Sequence, residues 1–314
     1  MQYYFAPLEG LTDSIYRKLH HKYFPGIDRY YTPFFSPTIH RSFTKKELRE
    51  LQTADSLDFT VVPQVLTRNA EDFLWMAQQC ANVGYKELNL NLGCPSGTVT
   101  AKGKGSGALR DPESLNKLLE DIFTACPIAV SVKTRIGFSS PNEFPILLDI
   151  FNRYPIKELT VHSRTRTDFY KGNVDLDAFR YGVENSKNPL CYNGNLCSVE
   201  QIKTISSAFP TVDAVMLGRA LIADPGMLSA DGTTATALEN FHNELLDQYT
   251  EVFGSSRNAM FRMKENWRYL RCRFDGGDKL FKQLRKTTDL AEYRRLTQEI
   301  FYSVPMADKL TPDW

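Results

Sequence analysis

Short apolar runs rich in β-branched and aromatic residues recur along the first two thirds of the chain, and stretches with helical spacing follow them. The runs lie at residues 3–6, 30–34, 61–65, 87–92, 129–133, 159–162, 190–192 and 214–217. A parallel sheet built from strand-helix units produces this alternation. Eight strands over about 230 residues match the rhythm of a (β/α)8 TIM barrel, so the pattern predicts an α/β fold of that kind. A doubly wound open sheet is the alternative fold.

Helix-start signals support the alternation. Asn69 is a typical capping residue for a helix predicted over residues 69–83. The apolar face of that helix is expected to consist of Phe73, Leu74, Ala77 and Cys80. The dipeptide Asp111-Pro112 is a typical start of a second helix.

The strand pattern ends near residue 231, where a polar segment with several threonines indicates a linker. Helical spacing then dominates, in a helix around residues 241–249 and in two more over 261–274 and 290–301. We therefore expect a barrel domain over residues 1–232 and an all-α helical domain over residues 233–314.

The composition is that of a globular protein, with 314 residues and 42% hydrophobic content. No apolar stretch reaches transmembrane length, so no membrane association is expected. Residues 1–7 carry neither a basic start nor a long apolar run, so no signal peptide is expected. The six cysteines fall singly, without the Cys-x-x-Cys spacing of a zinc site or a redox pair. Free thiols, no metal and a cytoplasmic location are the resulting expectations.

The net charge of +1 argues against a protein that binds nucleic acid over its whole surface. The charge is unevenly distributed, however, because residues 257–286 hold ten Lys or Arg against three acids. Such a segment is either a solvated helix face or a surface that binds a polyanion. The interleaved aromatic residues favour the second interpretation, and they are Trp267, Tyr269, Phe274 and Phe281.

Polar residues close several of the predicted strands. In a TIM barrel the active site lies at the carboxyl ends of the strands, so these residues are expected to converge on one rim. They are Gln64, Asn91, Lys133, Arg135, His162 and Arg164. Cys94 follows its strand in a sharp Gly-Cys-Pro turn, which favours a thiol exposed at the barrel mouth over a buried, inert one. A ligand site at this rim is the resulting hypothesis.

Glycine-rich segments suggest how an anionic ligand is held. The last two strands end in Asn193-Gly194-Asn195 and Gly218-Arg219, and barrel enzymes often bind a phosphate between these two loops. Each fragment alone is an ordinary turn, but together they predict a phosphorylated cofactor. The segment 102–107 is also rich in glycine and lacks the Walker spacing, so we interpret it as a substrate-facing loop beside Cys94.

Five fragments in this order resemble the tRNA-dihydrouridine synthases. They are residues 6–13 (Ala-Pro-Leu-Glu-Gly-Leu-Thr-Asp), residues 91–96, residues 131–135 (Ser-Val-Lys-Thr-Arg), residues 161–165 (Val-His-Ser-Arg-Thr) and the pair Gly218-Arg219. In the tail, the segments 262–264 and 267–270 resemble the family's helical RNA-binding domain. The start of the chain and the tail spacing resemble the bacterial C-type branch.

The resemblance implies bound FMN, NADPH as reductant and tRNA as substrate. Cofactor contacts are implied for Pro7, Leu8, Glu9, Gln64, Lys133, His162, Asn193, Gly194, Asn195, Gly218 and Arg219. Substrate or RNA contacts are implied for Asn91, Lys102, Arg135, Arg164, Arg262, Lys264, Trp267 and Arg271. Cys94 is the implied catalytic acid, which gives a proton to C5 of uracil after hydride reaches C6. No obligatory protein partner is implied.

The sequence departs from the family pattern at three positions. Leu8 stands where methionine is usual, Asn195 where an acid is usual, and Ser163 where glycine is common. None of these removes a catalytic group. Two other functions remain as alternatives: another FMN barrel oxidoreductase that acts on a small pyrimidine or enone, and an RNA-binding protein whose barrel has lost catalysis.

Overall fold

The computed structural model describes residues 1–51, residue 54 and residues 57–314. Within them, two compact units can be distinguished. The first unit comprises Met1–Pro7, Asp28–Asn195 and Lys203–Met216. The second unit comprises Leu8–Ile27, Leu196–Ile202 and Leu217–Trp314.

A parallel sheet forms the centre of the first unit. Its strands are β1 (Gln2–Phe5), β2 (Arg29–Tyr31), β3 (Val61–Val62), β4 (Gln64–Val65), β5 (Glu87–Leu92), β6 (Ala129–Arg135), β7 (Leu159–His162), β8 (Leu190–Asn193) and β9 (Ala214–Leu217). The spatial order is β3-β2-β1-β9-β8-β7-β6-β5-β4, and each neighbouring pair is parallel. All eight predicted runs therefore contain strand.

The two strands at the ends of this order are halves of one strand. Pro63 separates β3 from β4, and proline has no N–H to donate to a ladder. Its carbonyl oxygen still accepts the backbone N–H of Asn89 in β5, at 2.9 Å. Eight strand positions thus follow one another around a nearly closed barrel. The TIM-barrel prediction is confirmed, and the open sheet is excluded because its strand order would reverse at a switch point.

Helices follow most of the strands and form the C-terminal part of the chain. They are α1 (Ser14–Tyr23), α2 (Lys45–Glu50), α3 (Ala70–Asn82), α4 (Gly97–Thr100), α5 (Pro112–Ala125), α6 (Phe144–Phe151), α7 (Leu176–Asn185), α8 (Val199–Ala208), α9 (Arg219–Ala223), α10 (Ala235–Phe253), α11 (Ser256–Leu270), α12 (Asp278–Lys286) and α13 (Leu290–Ser303). None of the helices within the described residues is both long and apolar enough to span a membrane.

The predicted helix starts are confirmed. The Asn69 side chain accepts the N–H of Glu71 at the start of α3, and Asp111 accepts that of Ser114 at the start of α5. The apolar face of α3 differs in one position, since Met76 is buried and Leu74 is half-buried. Residues 73, 76, 77 and 80 follow the i, i+3, i+4, i+7 spacing of a single helical stripe.

Large side chains fill the barrel interior, as expected of a packed core rather than a pore. One buried cluster consists of Tyr4, Ala6, Tyr31, Val62, Cys191, Ala214 and Met216. All six residues of β5 are buried, which matches a parallel strand covered on both faces.

The helices α10, α11 and α13 of the second unit pack around an aromatic centre. The indole N–H of Trp267 donates to the Tyr293 hydroxyl at 2.9 Å, and His242 Nε2 lies 2.9 Å from the same oxygen. The helical tail is therefore confirmed. Sequence analysis missed α12, because Gly276 and Gly277 interrupt the helical spacing before it, and it extended the second tail helix to 274 although α11 ends at Leu270.

Candidate active site

Asn91, near the end of β5, fixes the turn that carries Cys94. Its side-chain oxygen accepts the backbone N–H groups of Gly93 at 3.1 Å and of Cys94 at 3.0 Å. The side-chain nitrogen of Asn91 donates to Gln64 Oε1 at 2.7 Å. Since both ends of this carboxamide are engaged, Asn91 acts within the structure as a support for the cysteine turn.

The support continues into the barrel as a chain of amides. Gln64 Nε2 donates to Asn89 Oδ1 at 2.8 Å, and Asn89 Nδ2 donates to the Ser131 hydroxyl at 2.9 Å. Gln64 and Asn89 are fully buried. Because Asn91 must point its oxygen at two N–H donors, every later amide in the chain has one orientation. Sequence analysis found two of these four residues, and missed Asn89 and Ser131 because they lie inside their strands.

The glycine-rich segment packs on the backbone of the same turn. The carbonyl oxygen of Cys94 accepts the Ser106 N–H at 3.1 Å and the Ser106 hydroxyl at 2.8 Å. A Cβ on Gly105 would lie 2.9 Å from that oxygen, and Gly105 has φ +57°. Cys94 itself is half-buried. The backbone that carries the thiol is therefore held from two sides, by Asn91 and by the segment that contains Gly105.

Lys133 lies beside this turn, because the register of the sheet pairs it with Asn91 across β5 and β6. Its Nζ donates to Asn193 Oδ1 at 2.8 Å, and Asn193 Nδ2 donates to the carbonyl of Met216 at 2.7 Å. Burial, with the Arg135 charge as a second cause, lowers the pKa of Lys133 to about 8. The sheet thus brings a half-buried amine and a thiol to neighbouring strand ends, as the sequence predicted.

Arg135 and Arg164 are buried and hold loops in place. Both are 1% exposed. Arg135 donates to the carbonyls of Gly93 at 2.8 Å and Thr165 at 2.7 Å. Arg164 donates to the carbonyls of Lys171 and Gly172, at 3.0 and 2.5 Å. Their guanidinium groups therefore donate to backbone carbonyls, and neither group forms part of the exposed surface.

His162 completes the cluster at the end of β7. It is 7% exposed, and its Nε2 lies 3.3 Å from Arg164 Nη1. The ring of Tyr170 lies 6.1 Å from the His162 ring and 5.4 Å from the Arg135 guanidinium. Sequence analysis missed Tyr170, which lies in the loop after β7, where no periodicity marks a functional residue.

The predicted phosphate loops fall in different units. In the first unit, Asn193 ends β8 and is followed by Gly194 and Asn195, which both have positive φ. Gly218 and Arg219 belong to the second unit, where Arg219 Nη1 donates to the carbonyl of Trp314 at 3.3 Å.

The start of the chain divides in the same way. Pro7 is in the first unit, whereas Leu8 and Glu9 are in the second, where the N–H of Leu8 donates to the Thr12 hydroxyl at 2.8 Å.

The tail residues expected to contact RNA are largely engaged in the tail itself. Trp267 is 4% exposed. Lys264 donates to the carbonyls of Arg285 and Thr287 at the end of α12, and burial lowers its pKa. Arg271 forms an ion pair with Asp313. Arg262 lies with its guanidinium 6.0 Å from the Phe253 ring.

Cations of the tail, Lys264 and Arg271 among them, line an open groove of about 700 Å³. Arg268, Lys282 and Arg285 are exposed members of this groove, and Phe281 and Trp267 contribute apolar surface. Two of these cations lie on α12, the helix that sequence analysis missed. The basic character predicted for the tail is therefore present, but it is carried by α12 and the outer face of α11.

The donor groups of the first unit suit an anionic or electron-rich ligand. Burial and, after it, the Arg135 cation lower the pKa of Lys133, while the sulfur groups of Cys191 and Cys94 act to raise it. Within the described residues, no group of three or more His, Cys, Asp or Glu side chains is arranged to hold a metal ion. An amine with a lowered pKa beside a thiol points to chemistry in which negative charge develops.

Comparison with known proteins identifies the family of this chain. The model of the dihydrouridine synthase (Dus) family matches residues 4–310. The chain belongs to the dihydrouridine synthase family. Its members are oxidoreductases, so the family resemblance and the enzyme class expected from the sequence are confirmed.

Individual relatives agree with the family assignment. The chain is 25% identical to "tRNA-dihydrouridine synthase B" of Pasteurella multocida over 223 residues, which are 71% of this chain and 66% of that relative. It is 27% identical to the protein of the same name from Proteus vulgaris, over 70% of this chain and 67% of that one. These alignments span about two thirds of the relatives.

A longer alignment includes the tail. "Probable tRNA-dihydrouridine synthase" of Staphylococcus aureus is 27% identical over 309 residues, 94% of this chain and 91% of that one.

Among solved structures, "Structure of morphinone reductase in complex with tetrahydroNAD" matches with TM-score 0.47 and 12% identity, over 72% of this chain and 85% of that one. The C-type branch of the dihydrouridine synthases stays a prediction, since two of the relatives carry the letter B in their names.

Proposed function

We propose that this protein reduces the C5–C6 double bond of a uridine in tRNA to 5,6-dihydrouridine, with FMN as cofactor and NADPH as reductant. The observation that carries the proposal is the meeting of Cys94 and Lys133 at the ends of adjacent strands, in a chain that belongs to the dihydrouridine synthases. When bound, FMN supplies the hydride for C6, which it first receives from NADPH.

The role proposed for Cys94 is that of a general acid. Hydride addition at C6 leaves negative charge on C5 and the adjacent carbonyl of uracil, and the thiol neutralises it by giving its proton to C5. The resulting thiolate regains a proton from solvent. Asn91 contributes by holding the backbone N–H of Cys94 at 3.0 Å, which fixes the direction from which the thiol approaches.

The residues of the first unit fit FMN chemically. Lys133 offers a cation, and Asn193 orients its amine through a 2.8 Å hydrogen bond. A lysine near the pyrimidine edge of the isoalloxazine would stabilise negative charge on the reduced ring. Gln64 and His162 are the proposed neighbours in this unit, with Pro7, Asn193, Gly194 and Asn195. The roles of Leu8, Glu9, Gly218 and Arg219 stay the ones that the sequence implied.

The proposed substrate is a uridine flipped out of folded tRNA, because a stacked base cannot reach a barrel mouth.

We propose residues 1–232 as the catalytic domain and residues 233–314 as the RNA-binding domain. In the tail, the exposed cations of α11 and α12 are the proposed RNA contacts, namely Arg268, Lys282 and Arg285. The buried indole of Trp267 is proposed to hold these helices together. A cytoplasmic location without an obligatory protein partner completes the proposal.

The test is spectroscopic. Purified protein should show flavin absorbance at about 450 nm that bleaches with NADPH under anaerobic conditions and returns when unmodified tRNA is added. Recovery with small enones or free pyrimidines but not with tRNA would establish the rival small-molecule oxidoreductase. A protein that binds tRNA but no flavin, even after incubation with FMN, would establish the RNA-binding alternative.

A further inference from the structure

Four side chains from three loops of the first unit form an alternating stack. The Arg110 guanidinium lies 4.7 Å from the centre of the Phe138 ring, and the Arg166 guanidinium lies 5.3 Å from the same ring. Arg166 also lies 4.8 Å from the Phe169 ring. These four residues, here called the rim cluster, follow β5, β6 and β7, so they lie on the loops at the carboxyl ends of the strands.

The two arginines have no carboxylate within ion-pair distance among the residues that the structure describes. One nearby acid is Glu143, which lines a groove of about 400 Å³ together with Arg110 and Phe138. Its carboxylate is used by the backbone N–H groups that precede α6, including that of Phe138 at 2.6 Å. The acids next to the arginines in sequence are also engaged elsewhere, since Asp111 accepts from Ser114 and Asp168 accepts from Thr165. Neither arginine of the rim cluster is therefore ion-paired within the described residues.

The arginines are held in place before any ligand arrives. Arg110 Nη2 donates to the carbonyl of Thr100 at 2.6 Å, and Arg166 Nη2 lies 3.5 Å from the Thr100 hydroxyl. Stacking on Phe138 restricts both guanidinium planes further. Ordering two long side chains in advance lowers the entropy cost of binding.

The rim cluster adjoins the segment that supports Cys94. Arg110 ends the 3-10 turn Gly105–Arg110, and Ser106 in that turn donates to the Cys94 carbonyl at 2.8 Å. Lys102 belongs to the same segment and is exposed. The exposed Arg68 also lies beside it, since a Cβ on Gly103 would be 3.5 Å from Arg68 Cδ. Phe169 is 40% exposed. A positive surface with an accessible aromatic ring thus borders the reactive turn.

We propose that the rim cluster binds the sugar-phosphate backbone of the RNA on either side of the flipped uridine. Planar guanidinium groups match phosphate geometry, and an exposed ring next to them can stack an unpaired neighbouring base. The proposal rests on the proposed function and deepens it. It places an RNA contact surface on the barrel itself, independent of the tail and distinct from the buried Arg135 and Arg164 that the sequence had suggested.

The test measures equilibrium binding of unmodified transcribed tRNA to the full chain by fluorescence anisotropy over a range of salt concentrations. The variant combines Arg110→Gln with Arg166→Gln. Each lost contact to a phosphate of an unpaired strand lowers the salt slope by about 0.7, which is about fivefold in affinity at 0.1 M salt. We expect the double variant to bind up to about twenty-fivefold more weakly, with a slope smaller by about 1.4.

Two matched variants make the result specific. Arg180→Gln removes an arginine that also stacks on a phenylalanine, 5.0 Å from the Phe209 ring, but on α7. It should leave the affinity and the slope unchanged. Arg110→Lys combined with Arg166→Lys keeps both charges and should retain the slope. If the double glutamine variant has a lowered melting temperature, Arg110→Gln alone gives the same comparison, with half the expected change in the salt slope.

The outcomes separate the two proposals. If the wild-type protein binds tRNA and the double glutamine variant binds it with the same affinity, the rim surface is overturned and the proposed function stays intact. Wild-type protein that binds no tRNA overturns the proposed function. Equal weakening by Arg180→Gln assigns the effect to lost packing. An acidic peptide, tested as poly-glutamate, that competes as well as RNA would replace the RNA assignment with a protein partner.

Discussion

The side-chain oxygen of Asn91 lies 3.0 Å from the backbone nitrogen of Cys94 and accepts its N–H. The same oxygen takes the N–H of Gly93, so one carboxamide closes the whole turn. Since the opposite end of Asn91 is bonded to Gln64, the position of the thiol is tied to the buried amides of the barrel. The reactive group thus depends on residues that need not touch the substrate.

Asn91→Ala should lower the rate of the tRNA-dependent step by about tenfold to a hundredfold, because a small displacement of the thiol costs this much in rate. The rate is measured in single turnover with reduced enzyme. The rate at which iodoacetamide alkylates Cys94 should change as well. Loss of flavin alone would not change that rate. Gln78→Ala, which removes an exposed amide bonded to Asn82 at 3.0 Å, serves as the control. Unchanged rates of both reactions would refute the positioning role.

Cys94→Ala should retain the yellow cofactor and lose turnover at neutral pH by at least about a hundredfold, because the proton for C5 then comes only from water. Flavin content and the tRNA-dependent reoxidation rate are measured on the same sample. Cys126→Ala is the matched control, as that thiol is also half-buried but lies at the end of α5. Wild-type turnover in the alanine variant of Cys94 would rule out the thiol as the acid.

Gly105→Ala should destabilise the protein more than Gly103→Ala does. Both residues have positive φ, of +57° and +67°, so both substitutions carry left-handed strain of about 1 kcal/mol. Only at Gly105 would the new methyl group meet backbone, 2.9 Å from the Cys94 carbonyl oxygen, while at Gly103 the nearest atom is 3.5 Å away in the Arg68 side chain. Urea unfolding compares the two. Equal losses would show that the turn can move to admit the methyl group.

Lys133→Met should raise the melting temperature of flavin-free protein at pH 7, by on the order of 2–4 °C. The folded-state pKa of Lys133 is about 8, below its ordinary value of 10.5. Between these values the unfolded chain holds a proton that the folded chain lacks, so wild-type stability rises with pH through this window.

The advantage of the methionine variant should therefore shrink as the pH rises above 8. The exposed Lys86→Met should show no such trend. A lower melting temperature for Lys133→Met at pH 7 would show that the hydrogen bond to Asn193 outweighs the burial cost.

In the tail, Lys264 and Lys282 should separate stability from RNA binding. Lys264 donates to the last carbonyls of α12, so Lys264→Met should lower the melting temperature. Both lysines line the groove of α11 and α12, but only Lys282 is exposed, so Lys282→Met should weaken tRNA binding and reduce the salt slope by about 0.9 without a change in melting temperature. The reverse assignment of the two effects would move RNA contact to Lys264.

The sequence by itself determined the repeating elements and the chemistry placed at their ends. The eight strands, the caps Asn69 and Asp111, and the helical tail follow from periodicity and local hydrogen bonding, which act over a few residues. Cys94 and Lys133 could be found for the same reason, because Cys94 lies in the turn after β5 and Lys133 lies near the end of β6.

Only the tertiary structure decided which polar residues serve the fold and which face outward. Barrel closure brings Asn89 and Ser131 under the cysteine turn, buries Arg135 and Arg164 against loop carbonyls, and stacks Arg110 on Phe138. Tail packing turns Trp267 inward and leaves Lys282 exposed. These outcomes depend on contacts between segments far apart in the chain, and such contacts leave no local pattern in the residues that make them.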